Sequence, residues 1–395
     1  MRTPFSLLDL KLGFRMMIKH PGLTGVAVLA LTVAIGISAA WFSFIGGMLD
    51  PTLPLDDGER IVRIQNWDVA AAEPENWTLS DFATWRDDLR SVEELGAASS
   101  VEYTLSAEDG RSASVSGAQM TAAGFRVARV APLLGRPLLP GDEGEGALPV
   151  VVLGYDLWQR LFDGDRRVIG EPVRVGNQKV TVVGVMPQGF GFPRNQEVWT
   201  PLRVDALQYG PRQGPGIVVI GRLARGTTLE EAQAELAAVG ARTAAAFPET
   251  HLQLRPRIQR YLDSPAGGGM LTLSAFNIPF LLLLVVICIN VATLVFARTA
   301  ARQAELVMRS ALGASRARLV LQLFAEALVL TSVAAVVGLA LAHWAMGWGM
   351  ELFWQIQESR PPFWFDPGLS LSTIPYTAAL AIGAPRWSEP CPPCG

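Results

Sequence analysis

Three long apolar stretches punctuate this chain, and the residues between them alternate polar and apolar on shorter periods. The first stretch, 23–48, carries no charge. The second covers 278–297, and the third, 319–346, is interrupted only by Glu326 and His343. At about 1.5 Å of rise per residue, each reaches across a hydrocarbon core of about 30 Å. The first follows Lys11, Arg15 and Lys19 and holds small residues at 38–40, as a signal peptide would, but its apolar run is longer than a signal core and predicts a retained helix.

Ahead of it, Leu7, Leu10, Phe14, Met17 and Ile18 recur at helical spacing, with the three basic residues on another face. This predicts an amphipathic helix over 1–20, lying in a membrane interface and ended by Pro21-Gly22. Arg298, Arg302, Arg309, Arg316 and Arg318 cluster between the second and third spans, with Glu305 as the one acid. By the positive-inside rule, the amino terminus and this loop share the cytoplasm, and 49–275 lies outside.

Within 49–275 the periods shorten. Ile61–Ile64 alternates as a strand. Phe82, Trp85 and Leu89 share a helix face, with Ser80 read as the cap. Leu148–Tyr155, Gln178–Met186 and Ile217–Leu223 read as strands between Gly/Pro turns. Thr227 and Thr228 precede Glu230 and Glu231 at capping-box spacing, opening a helix with Leu229, Ala232, Leu236 and Val239 on one face. A last strand is expected at 251–259. The pattern predicts an α+β domain of two subdomains, in which two strand–helix units flank a β-rich insertion and pair with each other.

Composition agrees with a mixed protein: 395 residues, 50% hydrophobic and 17% charged. A net charge of −3 offers no basic field for nucleic acid. His20, His251 and His343 are scattered, and Cys288, Cys391 and Cys394 leave 49–275 without disulfides. The 395 residues contain no G-x-x-x-x-G-K-[ST] loop for ATP. The acidic run Gly141–Gly146 lacks the ligand spacing of a calcium loop and reads as a solvated turn, and Asp56-Asp57 and Asp87-Asp88 form no acid/base dyad. No metal, cofactor or catalytic residue is expected.

The run "VAPLLGRPLLPGDEGEGALPVVVLGYDLWQRLFDGDRRVIGEPVRVGNQKVTVVGVMPQGFGFP" resembles a MacB-like periplasmic core domain. "INVATLVFARTAARQAELVMRSALGASRARLVLQLFAEALVL" resembles an FtsX-like permease domain. The resemblance extends to about residue 383 and points to the duplicated permeases of acidobacteria and related soil bacteria. It implies a bacterial inner-membrane ABC transporter permease, not itself an enzyme, that works with a separate cytoplasmic ABC ATPase. It also implies a homodimer or a pseudo-dimer with a second permease half. The loop 298–318 would touch the ATPase, with Arg302, Glu305, Arg309, Leu312, Gly313, Ala314 and Ser315 as contact residues. The residues support a short lever there: Glu305 and Arg309 pair at i,i+4, Gly313 can end the helix, and Ser315 can cap the next. The plainer alternative is that the arginines only set topology. A non-transporting regulator of an envelope hydrolase, a ligand sensor, or a truncated fragment are the other functional readings.

Asn290 and Glu326 fall at similar depth in the antiparallel pair 276–297 and 319–346, so they are expected to face one seam as an intramembrane polar pair. Beyond 346, the aromatics Trp348, Phe353, Trp354, Phe363, Trp364 and Phe365 read as an external connection (347–368) at lipid headgroup level. Residues 369–384 begin a fourth span. The tail 385–395, with Cys391-Pro-Pro-Cys394, reads as an aberrant or truncated end.

Overall fold

The computed structural model describes residues 21–49, 52–75, 78–107, 110–203, 209–263, 316–357, 360–366, 368–370 and 373–379, with 278, 282 and 289. The chain divides into two compact units: 1–51, 268–359 and 366–395 form one, and 52–267 with 360–365 form the other.

The first unit is helical. Helix α1 covers Pro21–Leu49 and a later helix covers Arg316–Ile356. A proline at the first helical position costs no hydrogen bond, and nothing inside α1 interrupts it. Its apolar window 28–46 spans about 28 Å at helical rise, enough for a bilayer core. The two helices cross closely through small residues. A Cβ built on Gly36 would sit 3.1 Å from the Gly338 carbonyl oxygen, and one on Gly338 would sit 2.8 Å from that of Thr32. Leu31, Ile35, Ala334 and Ala335 pack around this crossing. Val26, Leu29, Val33 and Ile37 leave an apolar stripe on α1 uncovered, the surface a lipid-facing helix presents. Ser43 Oγ accepts from the Ser370 amide at 2.8 Å, and the Phe42 and Tyr376 rings stack at 4.2 Å.

The later helix runs ten residues past the expected end at 346. The segment Gly347–Ile356 is rich in helix-compatible apolar residues, and the first helix breakers after it are Pro361 and Pro362, so the connection proper is short. The expected amphipathic helix 1–20, the loop residues 298–315, the tail 385–395 and most of 276–297 lie outside the described residues, whereas 316–318, expected at the end of that loop, open the later helix.

The second unit holds an 11-stranded sheet. In chain order its elements are β1 (Ile61–Asp68), β2 (Glu73–Glu75), α2 (Leu79–Asp88), β3 (Val92–Ser106), β4 (Ser112–Met120), α3 (Ala122–Ala128), β5 (Leu134–Gly135) and β6 (Val150–Leu153). These are followed by α4 (Tyr155–Phe162), β7 (Pro172–Val175), β8 (Gln178–Val185), β9 (Val198–Pro201), β10 (Val218–Leu223), α5 (Leu229–Ala246), α6 (Pro248–His251) and β11 (Leu254–Arg260). The helix Arg316–Ile356 is α7.

The strand order is β11-β1-β10-β3-β4-β9-β6-β8-β5. The units β1-α2-β3 and β10-α5-β11 therefore interleave as antiparallel neighbours, the split β-α-β arrangement, with β4 to β9 inserted between them. The two expected subdomains are two halves of this one sheet, joined along the β3–β4 ladder. In the first half, Val62 and Ile64 pack with Phe82, Trp85, Leu236 and Val239. In the other, Leu153, Val182 and Val198 pack with Leu157, Trp158 and Leu161.

The capping box of α5 forms as its sequence requires: Thr228 Oγ1 accepts from the Glu231 amide at 3.2 Å, and a Glu231 carboxylate oxygen accepts from the Thr228 amide at 2.9 Å. Ser80 is not the cap of α2. It lies inside the helix, and Thr78 holds the cap position. The last strand starts at Leu254 rather than 251, because Pro248 opens the short helix α6 first.

Candidate transmission site

Three chain segments link the α+β unit to apolar spans, and all three converge on one core. Leu53 and Leu55 follow α1; Tyr261 and Leu262 follow β11; Phe363 and Trp364 come from the connection after α7. All pack against a buried cluster that includes Ile61, Met120, Phe125, Phe190, Phe192 and Trp199. Phe363 lies 6.2 Å from Phe192, edge-on, and Trp364 lies 5.8 Å from Tyr261. These two aromatics therefore do not belong to a headgroup belt. An aromatic side chain suits a wet interface and a domain core alike, and composition alone does not separate the two.

The loop 187–197, "PQGFGFPRNQE", forms a socket in this cluster. The Phe192 and Pro193 carbonyls accept from Trp199 Nε1 at 2.7 Å and from the Tyr261 hydroxyl at 2.6 Å. Burial pushes the Tyr261 phenol pKa up, so the hydroxyl stays a donor. Gln196, 3% exposed, folds its side-chain oxygen back onto the Arg194 and Asn195 amides at 2.8 and 3.1 Å. That turn aims the Arg194 carbonyl and the Asn195 side chain outward. They bind the Phe363 amide at 2.7 Å and the Arg360 carbonyl at 3.0 Å. Glu197, with its side chain 7% exposed, meets Arg160 of α4 at 2.9 Å through one carboxylate oxygen and Arg360 at 2.5 Å through the other.

A second device fixes the inbound segment. Arg222 of β10 is fully buried. Its Nε and Nη2 donate to the Val127 carbonyl at 2.9 and 2.7 Å, and its Nη1 to the Asp57 carbonyl at 3.3 Å. Val127 is in the last turn of α3, where carbonyls lack helical partners and a cation is favoured. Asp57 takes a left-handed conformation (φ 45°) that turns its carbonyl inward and its carboxylate out to Arg60, at 3.1 Å. Arg60 and Arg129 also share Glu93, at 3.0 and 2.6 Å. The residues following α1 are thereby stapled to β3, β10 and α3 at once.

The coupling residues Arg302, Glu305, Arg309, Leu312, Gly313, Ala314 and Ser315 lie outside the described residues, as does Asn290. Glu326 falls within α7, with its side chain outside the description. In the run Gly141–Gly146, Asp142 is held by Arg136 at 2.6 Å, as an ion-paired turn. Asp57 is ion-paired on one side of the domain, and Asp88 pairs with Arg242 at 2.6 Å. Among the described residues no group of three His, Cys, Asp or Glu side chains is arranged to hold a metal.

The family model described as the MacB-like periplasmic core domain matches residues 24–239, from α1 into α5. The chain belongs to this family. The model described as the FtsX-like permease C-terminal matches residues 277–385, downstream of the core domain. The chain is 27% identical over 265 residues to the macrolide export ATP-binding/permease protein MacB 1 of Yersinia pestis bv. Antiqua (strain Antiqua), over 63% of this chain and 38% of that protein. The same figures hold for MacB 1 of Yersinia pseudotuberculosis serotype I (strain IP32953). The chain spans about 38% of the length of these curated relatives. Among solved structures, it is similar to the periplasmic region of MacB from Actinobacillus actinomycetemcomitans. That match has a TM-score of 0.39 and 16% identity, over 52% of this chain and 90% of that one.

In this MacB-like permease chain, the site residues of the core domain were not foreseen as such. Arg222 and Glu197 stand in strands or loops with no local motif, and Arg360 looks like a solvated charge beside two prolines. The socket "PQGFGFP" was legible only as part of the family resemblance, not as a receptor for another segment of the chain.

Proposed function

We propose that this chain is the permease subunit of an ABC-type transporter, passing ATP-driven motion from a cytoplasmic ATPase to the α+β domain for export or extraction of cargo. One observation carries the reading: among the described residues, Leu53 and Leu55 after the first span, Tyr261 and Leu262 before the second, and Phe363 and Trp364 after the third pack on the same buried cluster. A close-packed core is stiff, so displacement of a segment while it is seated there is passed to its packed neighbours. Nothing in such a device needs a catalytic group.

The 395 residues hold no phosphate-binding loop of the P-loop pattern, so ATP hydrolysis is proposed to come from an ABC ATPase outside these residues, a separate subunit in the reading the family resemblance implies. The relatives named ATP-binding/permease proteins are much longer, in keeping with both functions in one chain. Arg302, Glu305, Arg309, Leu312, Gly313, Ala314 and Ser315 are proposed to receive the ATPase. Asn290 and Glu326 are proposed to form the polar seam of the second and third spans. The working form is a homodimer or a pseudo-dimer in the inner membrane, amino terminus inside and the domain outside. Macrolide export, the activity in the relatives' name, supports efflux of an amphiphilic cargo as the reading to test first.

The test has two arms. Ser315→Cys in intact cells should resist a membrane-impermeant thiol reagent and react after permeabilisation; ready labelling from outside would reverse the topology. Reconstituted with a cognate ABC ATPase, the chain should stimulate ATP hydrolysis, and Arg309→Glu should remove most of that stimulation without lowering expression.

A further inference from the structure

We propose that Arg360–Phe365 is a releasable clasp, a third attachment through which the connection after α7 grips the domain, and that Glu197 is the residue that lets it open. The clasp rests on the reading of the domain as a receiver of helix motion and names the contact by which the third and fourth spans would reach it.

Six residues make the attachment. Phe363 and Trp364 enter the aromatic cluster only partly buried. Two hydrogen bonds hold the backbone, one from the Phe363 amide to Arg194 and one from Asn195 to the Arg360 carbonyl. One ion pair joins Arg360 to Glu197. A patch this small adds modestly to stability and is easily reversed, unlike the ladder hydrogen bonds that hold β11 and the outgoing segment.

Glu197 makes opening tolerable. A buried carboxylate stripped of its only partner is strongly destabilising. Here each carboxylate oxygen has its own arginine, and Arg160 belongs to α4, which stays with the domain. When the clasp leaves, Arg160 still compensates the charge. The socket is likewise self-supporting: Gln196, Trp199 and Tyr261 hold its turn through bonds that do not involve the clasp.

Gly191 supplies the probe. A Cβ there would lie 2.9 Å from the Phe363 Cβ, so a shift of about 0.6–0.9 Å, which loss of the Phe363 ring makes room for, brings the pair to disulfide spacing. In the full chain in lipid nanodiscs, with Cys288, Cys391 and Cys394 changed to serine, Gly191→Cys with Phe363→Cys should close an intramolecular disulfide under mild oxidant. Gly141→Cys with Phe363→Cys should not, since nothing lies within 4 Å of a Cβ at Gly141. Failure of the first pair would overturn the docking.

Release is read with Gly191 and Phe363 both intact, by hydrogen exchange of the Phe363 amide, which donates to the Arg194 carbonyl at 2.7 Å. Its exchange should be slow, about fivefold faster with Arg360→Ala and largely restored by Arg360→Lys. Amide exchange in β3 and β10 should not change, which separates opening from unfolding. Exchange at Phe363 indifferent to Arg360, or already unprotected in the parent, would overturn the latch. Neither measurement needs an ATPase. A failed clasp therefore leaves the transporter reading standing, and lost ATPase stimulation with an intact clasp would sink that reading alone.

Discussion

The guanidinium of Arg222 lies buried against the Val127 carbonyl, its Nη2 and Nε donating at 2.7 and 2.9 Å to the one oxygen. Burial, and then Arg129 and Arg60 nearby, lower its pKa, yet an arginine remains charged at neutral pH. The cation is kept because α3 ends in carbonyls that need donors and Asp57 presents another. Arg222→Met fills the space but orphans both carbonyls. The expected loss is about 3 kcal/mol of domain stability, read from urea unfolding followed by tryptophan fluorescence. Arg222→Lys should recover less than half, because a lysine cannot place donors on Val127 and Asp57 together. An unchanged midpoint for the methionine variant would show that the inbound segment is held without Arg222, by Leu53, Leu55 and the Arg60–Glu93 pair.

Gly36 and Gly338 set the distance between α1 and α7. A side chain at 338 meets the Thr32 backbone at 2.8 Å, and backbone cannot swing aside as a flexible side chain does. Gly338→Leu should therefore separate the helices and cost about 1–3 kcal/mol, seen as earlier unfolding in detergent. Gly22→Leu, which has nothing within 4 Å of its Cβ, should be silent in the same assay. Equal behaviour of the two variants would mean that the crossing is not a determinant of helix pairing.

Asp81 is a buried junction in the other half of the domain. It accepts from Asn66 Nδ2 at 2.7 Å and meets His251 Nε2 at 3.1 Å, tying α2 to β1 and α6. Asp81→Ala leaves the two polar partners without it in a site where each side chain is almost fully buried. The expected cost is about 2 kcal/mol or more. Because the pair is interdependent, Asp81→Ala and His251→Ala combined should cost clearly less than their sum, and full additivity would show that they do not interact.

Local rules carried the sequence reading as far as local physics reaches. The α5 capping box depends on residues three apart, and the alternation of β1 depends on residues two apart, so both were visible in the chain. The spans at 23–48 and 319–346 follow from length and composition alone. The pairing of the flanking strand–helix units was expected, but not the order β11-β1-β10-β3, which long-range registers decide. The end of α7 was missed because its aromatic run was read as a connection, although nothing breaks the helix before the two prolines. Glu197, Arg222, Arg360, Phe363 and Trp364 acquire their roles only from partners far away in the chain. A lone buried arginine in a strand carries no signal until the carbonyls it serves are known.

Glu143 and Asp142 are adjacent carboxylates with opposite displacements, which makes the acid side of the stability profile predictable. Burial pushes the Glu143 pKa up, and the Ala122 amide it caps at 2.6 Å, with Arg126 and Arg86, does not offset this. Its folded pKa thus lies above its unfolded one, so its contribution is fully present below the unfolded value and is lost as pH rises through the folded value. Glu143→Gln keeps an oxygen for the Ala122 amide and drops the charge. The variant should be at least as stable as the parent at neutral pH, and the difference should close on acidification, as the parent takes up its proton. For Asp142, burial also pushes upward, but Arg136, the Leu139 amide and Arg203 outweigh it and hold the carboxyl below its usual range. Its contribution is present above the unfolded value and lost as pH falls through the folded one. Asp142→Asn should therefore cost stability at neutral pH, with a deficit that shrinks toward low pH. Unfolding midpoints of both variants from about pH 7 to about pH 3.5 bracket the ordinary carboxylate range. A Glu143→Gln chain that is less stable than the parent at neutral pH would show that the charge on the α3 amino terminus outweighs the desolvation, and would reverse the sign argued for this residue.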